Sequence, residues 1–141
     1  HVLGEFKKLR AVALSNSHFG DGGLKVVAGL PELRTLFFPG CKVTEEGMEY
    51  LAKAAKLERF QGSYNLGEKG LAALGKIETL REIDLYGSKV TPEAILNMPN
   101  AKKLTKLKTD FRSDNAKADE AKVKAALPEC KFESIYWRFD N

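Results

Sequence analysis

The chain repeats itself. Stretches of 23–24 residues open on leucine at 9–32, 33–56, 57–79 and 80–103, and a degraded stretch comes next at 104–128. A period of this length is the strongest constraint the sequence carries. A single unit is too short to bury its own apolar side, so it becomes stable only by stacking on its neighbours.

Aligned on the opening leucines Leu9, Leu33, Leu57, Leu80 and Leu104, position four is apolar throughout: Val12, Leu36, Phe60, Ile83 and Leu107. Position six holds Leu14, Phe38, Gly62, Leu85 and Thr109. Positions two apart share one face of a strand, so the first half of each unit is predicted to be a short strand, with a hole at Gly62. In the second half, Leu24, Met48, Leu71 and Ile95 are followed three residues later by Val27, Leu51, Leu74 and Met98 in units one, two, three and four. That spacing predicts a helix face. Thr91-Pro92-Glu93 and Thr44-Glu45-Glu46 supply a capping hydroxyl and acidic charge at helix starts. Gly20-Asp21-Gly22-Gly23 is read as the turn of unit one. It is not a P-loop, because no Gly-Lys-Ser/Thr comes after it.

These residues carry a resemblance. The Leu-x-x-Leu-x-Leu opening, the small or amide residues Ser17, Cys41, Asn65 and Ser88 at position nine, and Val43-Thr44-Glu45-Glu46-Gly47-Met48 resemble the leucine-rich repeat in its cysteine-containing form. Leu127-Pro128-Glu129-Cys130 is similar to the close of bacterial repeats. The resemblance implies an α/β fold: a right-handed leucine-rich-repeat solenoid, a horseshoe segment with parallel strands on its concave face and short helices on its convex face. It implies a binding scaffold more often than an enzyme. One domain, 1–141, is expected. Residues 1–8 would be the tail of an upstream repeat, since Leu3 and Phe6 sit where Val27 and Leu30 sit before Leu33. Unit 104–128 is expected to be distorted. Residues 129–141 would form a C-terminal cap in which Phe132, Ile135, Tyr136 and Trp137 seal the core.

The composition sets limits on function. Net charge is +4, with 23 basic and 19 acidic residues interspersed, so nucleic acid is not the expected partner. Solvated surface is the favoured reading of the lysines 102, 103, 106 and 108, since Asp110 and Glu82 interrupt them. Two cysteines and two histidines cannot make a four-ligand zinc site without carboxylates. No metal and no cofactor are expected, and no run of about 20 apolar residues spans a membrane. Cys41 and Cys130 lie three or more strand steps of about 4.8 Å apart, beyond the about 7 Å between Cα atoms that a disulfide allows. Unpaired thiols lean weakly toward the cytoplasm. Phasing leaves no nucleophile with its base, and His18 is expected to face solvent away from Cys41. No enzyme is expected.

Outward strand positions three, five and seven should form the concave face, with Asp110 among them and position eight adding Tyr64 and Phe111. Phe37, Arg59, Gln61, Tyr64, Asp84 and Tyr86, with Lys106 and Lys108, are the candidate contact residues for an unidentified protein or peptide, since Tyr and Arg are enriched in hot spots. Cross-strand pairs Arg59–Asp84 or Arg59–Glu82 fit the same residues without any partner, so both readings stand. The rival function is a spacer in a larger protein whose activity lies upstream. A monomer is expected, with association through the N-terminal edge as the other route.

Overall fold

A computed structural model describes residues 6–15, 18–62 and 66–134. Six strands form one open sheet in chain order, every neighbouring pair parallel: β1 (Ala11–Ala13), β2 (Thr35–Phe37), β3 (Arg59–Gln61), β4 (Glu82–Asp84), β5 (Lys106–Thr109) and β6 (Lys131–Ser134). Parallel strands cannot be joined by a tight hairpin, so each pair needs a crossover. The crossovers here are α1 (Asp21–Ala28), a 3-10 helix (Gly47–Lys53), α2 (Gly67–Gly75), α3 (Pro92–Leu96) with a 3-10 turn (Ala101–Lys103), and α4 (Ala116–Ala126). Successive helices pack on one another and form a second layer.

The register reproduces the sequence period. Ala11 pairs with Thr35, Thr35 with Arg59, Arg59 with Glu82, Glu82 with Lys106, and Lys106 with Lys131. One hydrogen-bond device recurs at the first four steps below the strands. The Arg10 carbonyl accepts the Arg34 and Thr35 amides at 2.8 and 3.0 Å, and the Arg34 carbonyl accepts Glu58 and Arg59 at 2.8 and 2.9 Å. The carbonyls of Glu58 and Arg81 do the same for the next two units. Each unit therefore fixes the height of the next, and the period-two alternation keeps one set of side chains inward.

Those inward side chains are the core. Leu36, Phe60, Ile83 and Leu107 from the strands meet Leu24, Met48, Leu71, Ile95 and Val123 from the helical layer, all buried. Burying such a side chain contributes roughly 1.5–3 kcal/mol. The helix starts behave as expected where the cap is ideal: the Thr91 hydroxyl accepts the Ala94 amide at 3.1 Å ahead of Pro92. Thr44 accepts the Gly47 amide at 3.2 Å, but the helix it starts is of the 3-10 kind.

Three expectations are corrected. The glycine-rich 20–23 stretch is not a turn: α1 begins at Asp21, with Gly20 as its N-cap. No hole exists at Gly62, because the Phe60 ring lies where a side chain would be, 2.8 Å from an added Cβ. Phe60 then meets Phe38 edge-on at 5.3 Å, and Phe38 meets Phe19 at 5.8 Å. Unit 104–128 forms a four-residue β5 and an α4 of 11 residues. Asp110 does not face outward; it is 3% exposed. The position-nine residues Ser17 and Asn65, and Ile135, Tyr136 and Trp137 of the expected cap, lie outside the described residues.

Candidate site on the exposed sheet face

The alternation that sends Leu36, Phe60, Ile83 and Leu107 inward sends two rows of side chains outward. One row runs Ala11, Thr35, Arg59, Glu82, Lys106, Lys131, and the other Ala13, Phe37, Gln61, Asp84, Lys108, Glu133. The face has two halves. β1 and β2 present no charge. β3 to β6 present a lattice of both signs.

The charges pair across strands. Arg59 Nε lies 3.4 Å from Glu82 Oε2, Lys108 Nζ 3.6 Å from Asp84 Oδ2, and Lys106 Nζ 3.5 Å from Glu133 Oε1. Of the two pairings open to Arg59, the structure adopts Glu82. These separations are long and the groups partly exposed, so each pair contributes little. Lys131, with Lys106 beside it, holds the Glu133 carboxyl below the usual glutamate range against the opposing pull of burial. Asp84 Oδ1 accepts the Tyr86 amide at 2.9 Å, and Lys108 Nζ sits 6.0 Å from the Tyr86 ring centre.

Phe37, Gln61, Asp84, Lys106 and Lys108 line one depression of about 170 Å³. It runs from Phe37 on β2 across the charged half to Glu133 on β6. Phe37 lines it beside the charged Asp84, Lys106 and Lys108. Its volume is well under the roughly 300–1,000 Å³ of small-molecule pockets, so it suits one inserted side chain. Arg59 and Tyr86 stand outside the lining, and Tyr64 lies outside the described residues. Glu133 also lines the depression and escaped the sequence reading. Its alternation in Lys131–Ser134 was visible, but position one of that unit is Glu129 and not leucine, so the phase was lost.

Cys41 and Cys130 are both free thiols. Cys41 is buried and its Sγ donates to the Leu14 carbonyl at 3.7 Å, while burial pushes the Cys130 thiol up. Among the described residues no group of three or more His, Cys, Asp or Glu side chains is placed to hold a metal, and no helix is long and apolar enough to cross a membrane. No protein-family model matches the sequence, and no curated protein matches it.

Proposed function

We propose that the chain is a segment of a leucine-rich-repeat solenoid that binds a protein or peptide through the exposed face of its sheet and carries no catalysis of its own. The convergence of Phe37, Gln61, Asp84, Lys106 and Lys108 on one depression carries this reading. An apolar wall beside adaptable, weakly held charges suits an anchor residue whose apolar body rests on Phe37 and whose polar end exchanges with the Asp84–Lys108 pair. The flanking neutral surface of Ala11, Ala13 and Thr35 adds contact area at low desolvation cost.

The test is affinity capture from native lysate with wild type, Phe37→Glu and Lys108→Glu, each shown folded by circular dichroism. A partner held by wild type and lost by both variants supports the reading. Equal capture by all three removes the sheet face from it. A second reading, a spacer in a larger protein, is favoured by the internal pairing of Arg59, Lys106 and Lys108, which leaves the face electrostatically satisfied without a partner. Capture of nothing by any of the three favours that reading.

A further inference from the structure

Charges that are interspersed along the sequence are sorted by the fold. All six strands run parallel in chain order, so the stretches that lead into strands lie along one edge of the stack and those that lead out lie along the other. Among the described residues, the stretches leading in are 6–10, 29–34, 54–58, 76–81, 97–105 and 127–130, and they hold nine basic and four acidic residues. The described residues leading out hold three basic and four acidic. The entry edge is basic although the chain as a whole is mixed.

Two of the four acids are already held. Arg34 Nη1 lies 2.6 Å from Glu58 Oε1, and Lys56 Nζ lies 2.5 Å from Glu32 Oε1. Arg81 donates to the carbonyls of Glu78 and Leu80 at 2.7 and 2.9 Å. Six cations are left: Lys7, Lys8 and Arg10 before β1, Lys76 before β4, and Lys102 and Lys103 before β5. All six are exposed and make no ion pair among the described residues. The remaining acids of this edge, Glu78 and Glu129, stand singly. Lys106 and Lys108, close in sequence to Lys102 and Lys103, belong instead to the sheet face and pair with Glu133 and Asp84 there.

Cations suit helix C-termini, and that accounts for Lys76, Lys102 and Lys103. No described helix precedes Lys7, Lys8 and Arg10, so the helix dipole does not account for them. The backbone beneath is fixed, because the Arg10, Arg34, Glu58 and Arg81 carbonyls tie successive lead-in stretches together. A partner therefore meets charges on a preorganised frame. β1 and β5 are separated by four strand steps, about 19 Å at about 4.8 Å each, and an extended polypeptide covers that span in about six residues. Phe6 is the one aromatic residue in these stretches, so the edge lacks the stacking platforms that unpaired bases use. Carboxylates on an extended chain fit both cation clusters.

We propose that this edge binds an extended acidic segment of a partner protein, at a surface separate from the sheet face. Dye-labelled octaglutamate is the probe, titrated with the full chain and followed by fluorescence anisotropy. Saturable binding that weakens as salt rises is expected. The double variants Lys7→Glu/Lys8→Glu and Lys102→Glu/Lys103→Glu should each weaken it roughly fivefold or more, since exposed charge pairs contribute modestly and here each is reversed. Lys42→Glu/Lys89→Glu makes the same change of net charge on the opposite edge and should leave the affinity close to that of wild type. All of these side chains are exposed, and circular dichroism checks that each variant is folded. Equal weakening by the Lys42/Lys89 variant would reduce the effect to net charge and overturn the proposal. Anisotropy that never saturates would overturn it too, as would tighter binding of an oligothymidylate of equal charge, which would assign the edge to nucleic acid.

Discussion

The two ends of the sheet treat equivalent residues differently. At β1, Leu9, Val12 and Leu14 are only half-buried, whereas Leu33, Leu36 and Phe38, one unit further along, are 1%, 0% and 0% exposed. Both sets are apolar and hold the same positions of the repeat, so in the described structure their burial differs with the packing around each unit. The far end is finished in another way. On β6, Phe132 lies against Phe111 with Lys124 Nζ 5.3 Å from its ring centre, and Lys131 and Glu133 place charge on the last described strand. Charge on an edge strand discourages further pairing. β1, reading Ala11-Val12-Ala13, carries none.

The largest effect should come from breaking that comparison at matched positions. Leu33→Ala removes a fully packed side chain and is expected to cost about 3 kcal/mol, within the usual span for such cavities. Leu9→Ala, the same change one unit earlier, should cost about 1 kcal/mol, because the site is already partly hydrated. Urea unfolding of both variants gives the difference. Equal costs would mean that the β1 end is covered in solution.

The period made the strands, their pairing order and the core legible from sequence alone, because stacking demands that the same positions turn inward in every unit. The register pairs Thr35 with Arg59 and Arg59 with Glu82, as the alignment does. Compensation within the core was illegible. Gly62 reads as a defect until the Phe60 ring is seen occupying its space, and nothing in a one-dimensional alignment says that a neighbour's side chain will fold over it. Asp110 failed for a similar reason: its phase is outward, but the Gly87 amide, at a backbone φ of 78°, and Arg112 together satisfy it inside. The charged half of the candidate face could be phased through β5, but the unit that supplies Glu133 had lost its leucine marker.

An intermediate effect is expected at the finished end. Thr109 takes a position filled by Leu14, Phe38 and Leu85 elsewhere, is 0% exposed, and its Oγ1 has no hydrogen-bond partner among the described residues. An unpaired buried hydroxyl costs roughly 1–3 kcal/mol. Thr109→Val keeps the shape and removes the oxygen, so a gain of about 1 kcal/mol is expected from thermal or urea unfolding. Destabilisation instead would show that the hydroxyl is bonded in solution and that this end holds a polar seam the strand pattern does not reveal.

The smallest effect concerns the edge charge that separates β6 from β1. Lys131 and Lys106 hold the Glu133 carboxyl below the ordinary glutamate value of 4.5. A carboxyl whose folded value is depressed stabilises the fold above its unfolded value, and that contribution disappears as pH falls through the folded value. Glu133→Gln should therefore leave the melting temperature almost unchanged at low pH and lower it slightly at neutral pH. The gap should open as pH rises toward 4.5 and close in high salt. Glu133 is open to solvent screening, so the gap should be smaller than either effect above. A melting-temperature difference that persists in strong acid would assign Glu133 a role in packing the edge, and the contrast between the two ends would then rest on shape instead of charge.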